Sequence, residues 1–164
     1  MTITVCSGQL RKLTPEERAR SPSYKYMVLS QFAFTDTDFE GRGIPSDAPT
    51  TRARSGSVHF HVRVPAGFLT DGASAGAPDL GASWIFHDWL YAKHAFTSGQ
   101  PCDRSQADKV MDKVLRHDRM KFYAWGFRKL AKLNPFWGFS RAWKKSGARG
   151  VEFLGGYEEP QGKL

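Results

Sequence analysis

The segment GASWIFHDWLYAKHAF, residues 81–96, places His87 and Asp88 in the middle of an aromatic and apolar run. Its apolar residues recur at helical spacing on two stripes, which predicts one helix from Ser83 to about Phe96. Because both stripes are largely apolar, His87 and Asp88 cannot both lie on a fully solvated face. The two polar side chains therefore need a structural or a chemical purpose inside the fold.

Strand patterns precede this helix, and helical patterns follow it. Residues 24–36 are rich in β-branched and aromatic residues, and residues 57–65 alternate apolar with polar positions, so each stretch predicts a strand. Two helix starts carry a capping residue followed three positions later by Glu or Gln. The remaining predicted elements are a short helix beginning at Thr14 and Pro15, a loop over 37–56, a helix from Asp103 to about His117, helices over about 120–133 and 136–146, and a short strand within 151–156.

The order of these elements favours an α+β fold in a single domain, 1–164. A small N-terminal antiparallel β-sheet, from a β-rich part at about 24–70, is expected to pack with a C-terminal bundle of three to four helices at about 83–146. An antiparallel helix pair within this bundle carries His87 and Asp108, and a polar C-terminal tail follows the bundle.

Cysteine content and hydropathy argue against two classes of protein, disulfide-rich secreted proteins and integral membrane proteins. Two cysteines are too few for a disulfide framework, which predicts synthesis in a reducing cytoplasm. The N-terminus has no signal-peptide pattern, and no apolar stretch approaches the roughly 20 residues that a transmembrane helix needs. We therefore expect neither a disulfide-rich secreted protein nor an integral membrane protein.

The formal charge of +8 is concentrated between residues 119 and 149, where nine basic residues occur without an acidic one. This asymmetry indicates an anionic partner, unless the charges only solvate a helix face. Aromatic residues lie between these charges, and aromatics with Arg anchor protein interfaces, so we expect a protein partner. An anionic membrane is an alternative, and a basic nucleic-acid-binding module without a recognisable motif is a second one. The expected interface residues are Phe136, Trp137, Phe139, Arg141, Trp143 and Lys144.

The spacing around His87 indicates a possible catalytic group. His87 and Tyr91 lie four positions apart and share a helix face. If residues 97–102 join two antiparallel helices, Asp108 comes level with His87. A carboxylate bonded to one imidazole nitrogen fixes the tautomer and leaves the other nitrogen to accept a proton from water. His87, Tyr91 and Asp108 are thus candidate catalytic residues, and the alternative is a polar network that only stabilises the core.

Two further carboxylates suggest a metal site. Asp71 lies in a Gly-rich loop, and Asp88 follows His87 on the helix. Together with the backbone carbonyl of Gly72, they offer the oxygen ligands that Ca²⁺ prefers. The alternative for Asp71 is a turn residue that bonds its own backbone.

The motifs VPAGFLTDGAS, HDWLY and ADKVM occur in this order between about residues 60 and 130. They resemble the phage and prophage family called domain of unknown function 1353. The resemblance implies a phage-encoded protein, which we expect to be a virion component of the tail or neck. Other virion proteins would then be its partners, and it would be synthesised in the host cytoplasm. The family name itself implies no activity.

The Asp-Gly loop, the helical His-Asp-x-x-Tyr and the carboxylate on a second helix also resemble secreted phospholipases A2, most of all the small prokaryotic type. This resemblance implies that His87 is the general base, that Asp88 and Asp71 bind Ca²⁺, and that Asp108 orients His87. The stretch CDRSQAD is similar to a Cys-Asp-Arg stretch of the animal enzymes, which makes Asp103 the alternative orienting residue. The chain departs from that family in its missing disulfides, its different loop and its missing secretion signal.

Taken together, these features predict a phage virion protein that bears a phospholipase A2-like His-Asp site, whose activity the sequence leaves open. The alternatives are a Ca²⁺-dependent esterase acting on envelope lipids during entry or lysis, and a nucleic-acid-binding module.

Overall fold

The computed structural model describes residues 3–36, 60–72, 81–133 and 139–153, which form six strands and five helices. It confirms the predicted α+β class, because the antiparallel sheets come from the N-terminal half and four of the five described helices come from the C-terminal half. The loop expected over 37–56 and the polar tail lie outside the described residues.

The strands form two antiparallel sheets of three strands each. The first sheet has the order β1 (Ile3–Cys6), β4 (Phe32–Asp36) and β5 (Phe60–Val64), and the second has the order β2 (Leu10–Lys12), β3 (Tyr26–Val28) and β6 (Leu69–Thr70). Burial alternates along β4, so Phe32, Phe34 and Asp36 point into the protein. The core side of the first sheet is therefore built from alternate residues, as the period of a strand requires.

The prediction of one strand over 24–36 is wrong, since this stretch contains β3 and β4, which belong to different sheets. The chain changes sheet at residues 29–31. There the Leu29 N–H donates to the Gln9 carbonyl over 2.7 Å, and Gly8 approaches the Ser30 carbonyl so closely that a Cβ on Gly8 would overlap it. Strands β1 and β2 also precede the expected start of the β-rich part, because strands of four and three residues carry too short a pattern to detect.

The helices follow the predicted order with shifted ends. They are α1 (Pro15–Arg20), α2 (Ser83–Lys93), α3 (Arg104–His117), α4 (Lys121–Leu133) and α5 (Phe139–Arg149). Both predicted capping boxes form, at the starts of α1 and α3. Helix α2 ends before the predicted Phe96 because His94 adopts a left-handed φ of 53° and its N–H donates to the Leu90 carbonyl. Of the strand expected within 151–156, only residues 151–153 are described, and there Phe153 forms one bridge with Phe68.

Helix α2 lies at the centre of the core, and eight of its eleven residues are buried. The ring of Phe86 contacts Phe34 of the first sheet, and the ring of Trp89 meets Phe68 edge to face at 5.1 Å. At the end of β4, the buried Asp36 carboxylate is paired with Lys113 of α3. Helix α2 is thus surrounded by packing on several sides, which explains its apolar sequence.

Candidate functional site

The site centres on a hydrogen-bonded group between α2 and α3. His87 Nε2 lies 3.1 Å from Asp108 Oδ1, and the Tyr91 hydroxyl donates to the same oxygen over 2.8 Å. The His87 and Tyr91 rings contact each other, with centroids 4.0 Å apart. His87 and Asp108 are each only 9% exposed. The predicted contact between His87 and Asp108 is therefore confirmed as geometry.

Asp103, the alternative orienting residue, has another position. Its side chain accepts from the Gln106 N–H over 2.8 Å and caps the start of α3. Gln106 returns the bond by accepting from the Asp103 N–H. Of the two candidates, Asp108 is the one bonded to His87, because five residues beyond the cap it lies on the face of α3 that packs on α2.

The carboxylate of Asp88 lies beside the other nitrogen of the His87 imidazole. His87 Nδ1 lies 3.9 Å from Asp88 Oδ1, which is beyond hydrogen-bond distance. Asp88 Oδ2 accepts a short hydrogen bond from the Thr70 hydroxyl, and that hydroxyl oxygen accepts from the Gly72 N–H over 3.3 Å. Thr70, at the end of β6, therefore ties the Gly-rich loop to α2.

The carboxyl groups of Asp71 and Asp88 lie close enough for their negative charges to repel each other. Although Asp71 has much exposed surface, partial desolvation of its carboxyl and the neighbouring Asp88 charge raise its pKa to about 6. Two carboxylates so close together are a donor set that fits a hard divalent cation. No larger group of His, Cys, Asp or Glu side chains is arranged to hold a metal within the described ranges. The Gly72 carbonyl as a third ligand stays a prediction.

The charge state of His87 follows from its surroundings. Burial lowers the pKa of His87, but its hydrogen bond to Asp108 and the nearby Asp88 raise the pKa by more, so the net shift is upward. In the folded protein the imidazole therefore keeps its proton to higher pH than free histidine does. Burial and Asp108 also raise the pKa of the Tyr91 hydroxyl, which stays a proton donor to the carboxylate.

A pocket of about 260 Å³ opens beside this group. Its lining includes His87, Asp88 and Asp71, together with Lys145 and Arg149 of α5. The remaining lining residues that bear on its chemistry are Thr70, Tyr24 and Tyr91. A ligand in this pocket would thus meet carboxylates, an imidazole and cationic side chains.

Two aromatic residues of α4 and α5 complete the site, although the sequence predicts neither of them there. Phe127 of α4 meets the His87 ring edge to face at 5.7 Å. Trp143 of α5 meets Tyr91 edge to face at 4.9 Å and stacks on His94 at 3.8 Å. No local pattern marks these contacts, because they depend on how α4 and α5 fold back on α2.

Trp143 is partly buried, because its ring packs on Tyr91 and His94, and its role at an interface stays a prediction. Arg141 and Lys144 are exposed, as an interface would require. Phe136 and Trp137 lie outside the described residues, and Phe139 is described only as the first residue of α5. None of the described helices has the length and apolar character to cross a bilayer.

Comparison with protein-family models, with curated proteins and with solved structures finds no match for the chain. The resemblances to domain of unknown function 1353 and to phospholipases A2 therefore rest on the motifs quoted above.

Proposed function

We propose that the pocket beside His87 is the hydrolytic site of a Ca²⁺-assisted esterase of the phospholipase A2 type. The observation that supports this most is the orientation of His87. Its Nε2 is bonded to Asp108, and among the described residues its Nδ1 faces only the more distant carboxylate of Asp88, 3.9 Å away. Such an imidazole is held rigidly and has one nitrogen left for a water molecule, which is what a general base needs.

In this mechanism Asp108 and Tyr91 hold the imidazole, and His87 Nδ1 takes a proton from the water that attacks the ester carbonyl. The ester C–O bond then breaks, and the protonated His87 returns the proton to the oxygen of the leaving alcohol. Ca²⁺ held by Asp71 and Asp88 would supply positive charge for the oxyanion that develops at that carbonyl. Because only neutral imidazole accepts a proton, and the pKa of His87 is raised, we expect the hydrolysis rate to rise as pH rises through this pKa. Lys145 and Arg149, which also line the pocket, favour a substrate with an anionic group, such as a phospholipid.

A pair of histidine variants tests the catalytic half of the proposal. His87→Gln removes the base, and we expect it to lower lipid ester hydrolysis by about a hundredfold or more. His117→Gln is the matched control, because His117 is exposed and bonded to Asp118, away from the pocket. Loss of activity in both variants, or in neither, would reject His87 as the base.

Calorimetry tests the metal half. Ca²⁺ should bind the wild type with a Kd in the millimolar range or below, and Asp88→Asn should abolish the heat of binding. Asp112→Asn, which changes a carboxylate on α3 paired with Arg116, should bind Ca²⁺ as the wild type does. A folded wild type that gives no heat would remove Ca²⁺ from the mechanism.

We further propose that the protein is a phage virion component of the tail or neck, on the motifs shared with domain of unknown function 1353. An esterase in that place would act on lipids of the bacterial envelope during entry. Immunodetection in purified particles tests this assignment, and a protein present only in infected cells would move its action to lysis.

One observation favours a second function, in which the site is structural. A histidine with a raised pKa, hydrogen-bonded to Asp108 and 3.9 Å from the Asp88 carboxylate, forms an ionic network that can stabilise a core without any chemistry. A wild type inert on every lipid ester, with and without Ca²⁺, would favour this scaffold function.

A further inference from the structure

Helix α4 carries an aromatic stripe that is exposed to solvent. Phe122 is 76% exposed and Trp125 57% exposed, and their rings stack with centroids 6.2 Å apart. The ammonium group of Lys129 lies over the Trp125 ring, 5.9 Å from its centroid. We call Phe122, Trp125 and Lys129 the α4 stripe.

The α4 stripe lies opposite the face with which the helix packs on the protein. Ala124 is fully buried, and Phe127 contacts His87. At about 100° per residue, Ala124 and Phe127 fall on one side of the helix, and Phe122 and Trp125 fall on the other. The two exposed rings therefore do not hold α4 in place, and burying them against a partner is favourable.

Charge decides which partner fits this surface. All nine charged residues between 119 and 149 are basic, and exposed Arg119 and Lys121 precede the α4 stripe directly. Cores of protein interfaces are depleted in Lys, whereas Trp and Phe with Lys beside them are typical of a helix lying at a bilayer surface. There the rings enter the interfacial region and the ammonium groups reach the lipid phosphates.

We propose that the α4 stripe binds the surface of an anionic lipid bilayer, with α4 lying in the plane of the interface. This inference goes beyond the proposed esterase and does not rest on it, because it concerns another face of the molecule. Since Phe127 on the inner side of α4 contacts His87, docking through α4 brings the His87 pocket close to the lipid surface.

Vesicle sedimentation with the full-length protein in EDTA tests the proposal without hydrolysis. The protein should bind phosphatidylglycerol vesicles, with weaker binding at high salt, and should bind phosphatidylcholine vesicles much less. Phe122→Ala should weaken binding about tenfold, and Lys129→Gln about fivefold. Trp125→Phe should remove most of the blue shift in tryptophan fluorescence that vesicles cause.

The controls make matching changes elsewhere on the surface. Leu29→Ala removes another exposed apolar side chain, and Lys12→Gln removes the charge of an exposed residue of β2, so neither should change binding. Because Phe122 and Lys129 are exposed, their variants should keep the wild-type melting temperature. If one variant fails to fold, the other still tests the stripe.

Several outcomes would overturn the proposal. The protein could fail to bind phosphatidylglycerol vesicles, or the Phe122→Ala and Lys129→Gln variants could bind them equally well as the wild type does. It could also bind duplex DNA more tightly than it binds vesicles. If the protein does not bind vesicles but self-associates, and if Phe122→Ala abolishes the self-association, the stripe binds a second copy of the chain instead. His87→Gln should bind vesicles as the wild type does. A wild-type protein that docks on vesicles but hydrolyses no lipid ester would reject the esterase and support this inference.

Discussion

Removing the charge of Asp108 tests whether His87 is held as a cation. Asp108→Asn keeps an oxygen that can accept from Tyr91 and His87 but loses the charge, which should cost about 1–2 kcal/mol of unfolding free energy. Asp108→Ala removes the acceptor as well. It leaves a buried imidazolium and the Tyr91 hydroxyl without their partner, which should cost about 3–5 kcal/mol. At about 2–4 °C per kcal/mol for a chain of this size, the melting temperature should fall by roughly 2–8 °C and 6–20 °C.

The pH dependence of this loss follows from the sign of the pKa shift. The folded pKa of His87 is raised above the ordinary value of 6.5. The stabilisation by its protonated form is therefore fully present below about pH 6.5 and is lost as pH rises through the folded pKa. The stability gap between wild type and Asp108→Asn should accordingly be larger at pH 6 than at pH 9.

Urea unfolding followed by circular dichroism at pH 6 and pH 9 measures this gap. Asp112→Asn is the control, because Asp112 is paired with Arg116 on the same helix, and arginine does not titrate in this range. The difference in unfolding free energy between the wild type and Asp112→Asn should be the same at pH 6 and pH 9. An Asp108→Asn gap that is absent at pH 6, or equal at pH 6 and pH 9, would show that His87 is not held as a cation.

The remaining predictions concern α4 and α5. Trp143→Ala should cost about 2–4 kcal/mol in thermal unfolding, because the ring packs on His94, whereas exposed Arg141→Ala should be nearly neutral; equal melting temperatures would place Trp143 at the surface. Gly147→Ala should cost about 1–3 kcal/mol because its Cβ would overlap the His94 ring, which the stacking holds in place. Gly126→Ala, where a Cβ meets nothing, should instead stabilise by roughly 0.5–1 kcal/mol, and the reverse order of these two variants would contradict the packing of α5 on α2.

Local chemistry made parts of the fold predictable from the sequence. The start of α3 follows from Asp103 and Gln106, which cap each other as the spacing indicates. The division of residues 24–36 between two sheets was not predictable in this way. It depends on Gly8 and Gln9, about twenty residues upstream, meeting the chain at residues 29–31.

In the candidate site too, some contacts follow from local sequence and others depend on tertiary packing. The contact of His87 and Tyr91 with Asp108 could be predicted, since helical spacing and a short connection bring them level. The Thr70 bond to Asp88 was missed, although a hydroxyl directly before Asp71 was a local signal for it. Phe127 carried no such signal, because only the packing of α4 brings it to the imidazole.

Fatty acid release from phospholipid vesicles by the wild-type protein tests the central claim most directly. Mass spectrometry would quantify the free acid after incubation with Ca²⁺ and, separately, with EDTA, at a pH above the raised pKa of His87. The proposed esterase predicts release with Ca²⁺ and little or none with EDTA. A folded protein that releases no fatty acid under either condition would contradict it and leave His87, Asp108 and Tyr91 as a structural network.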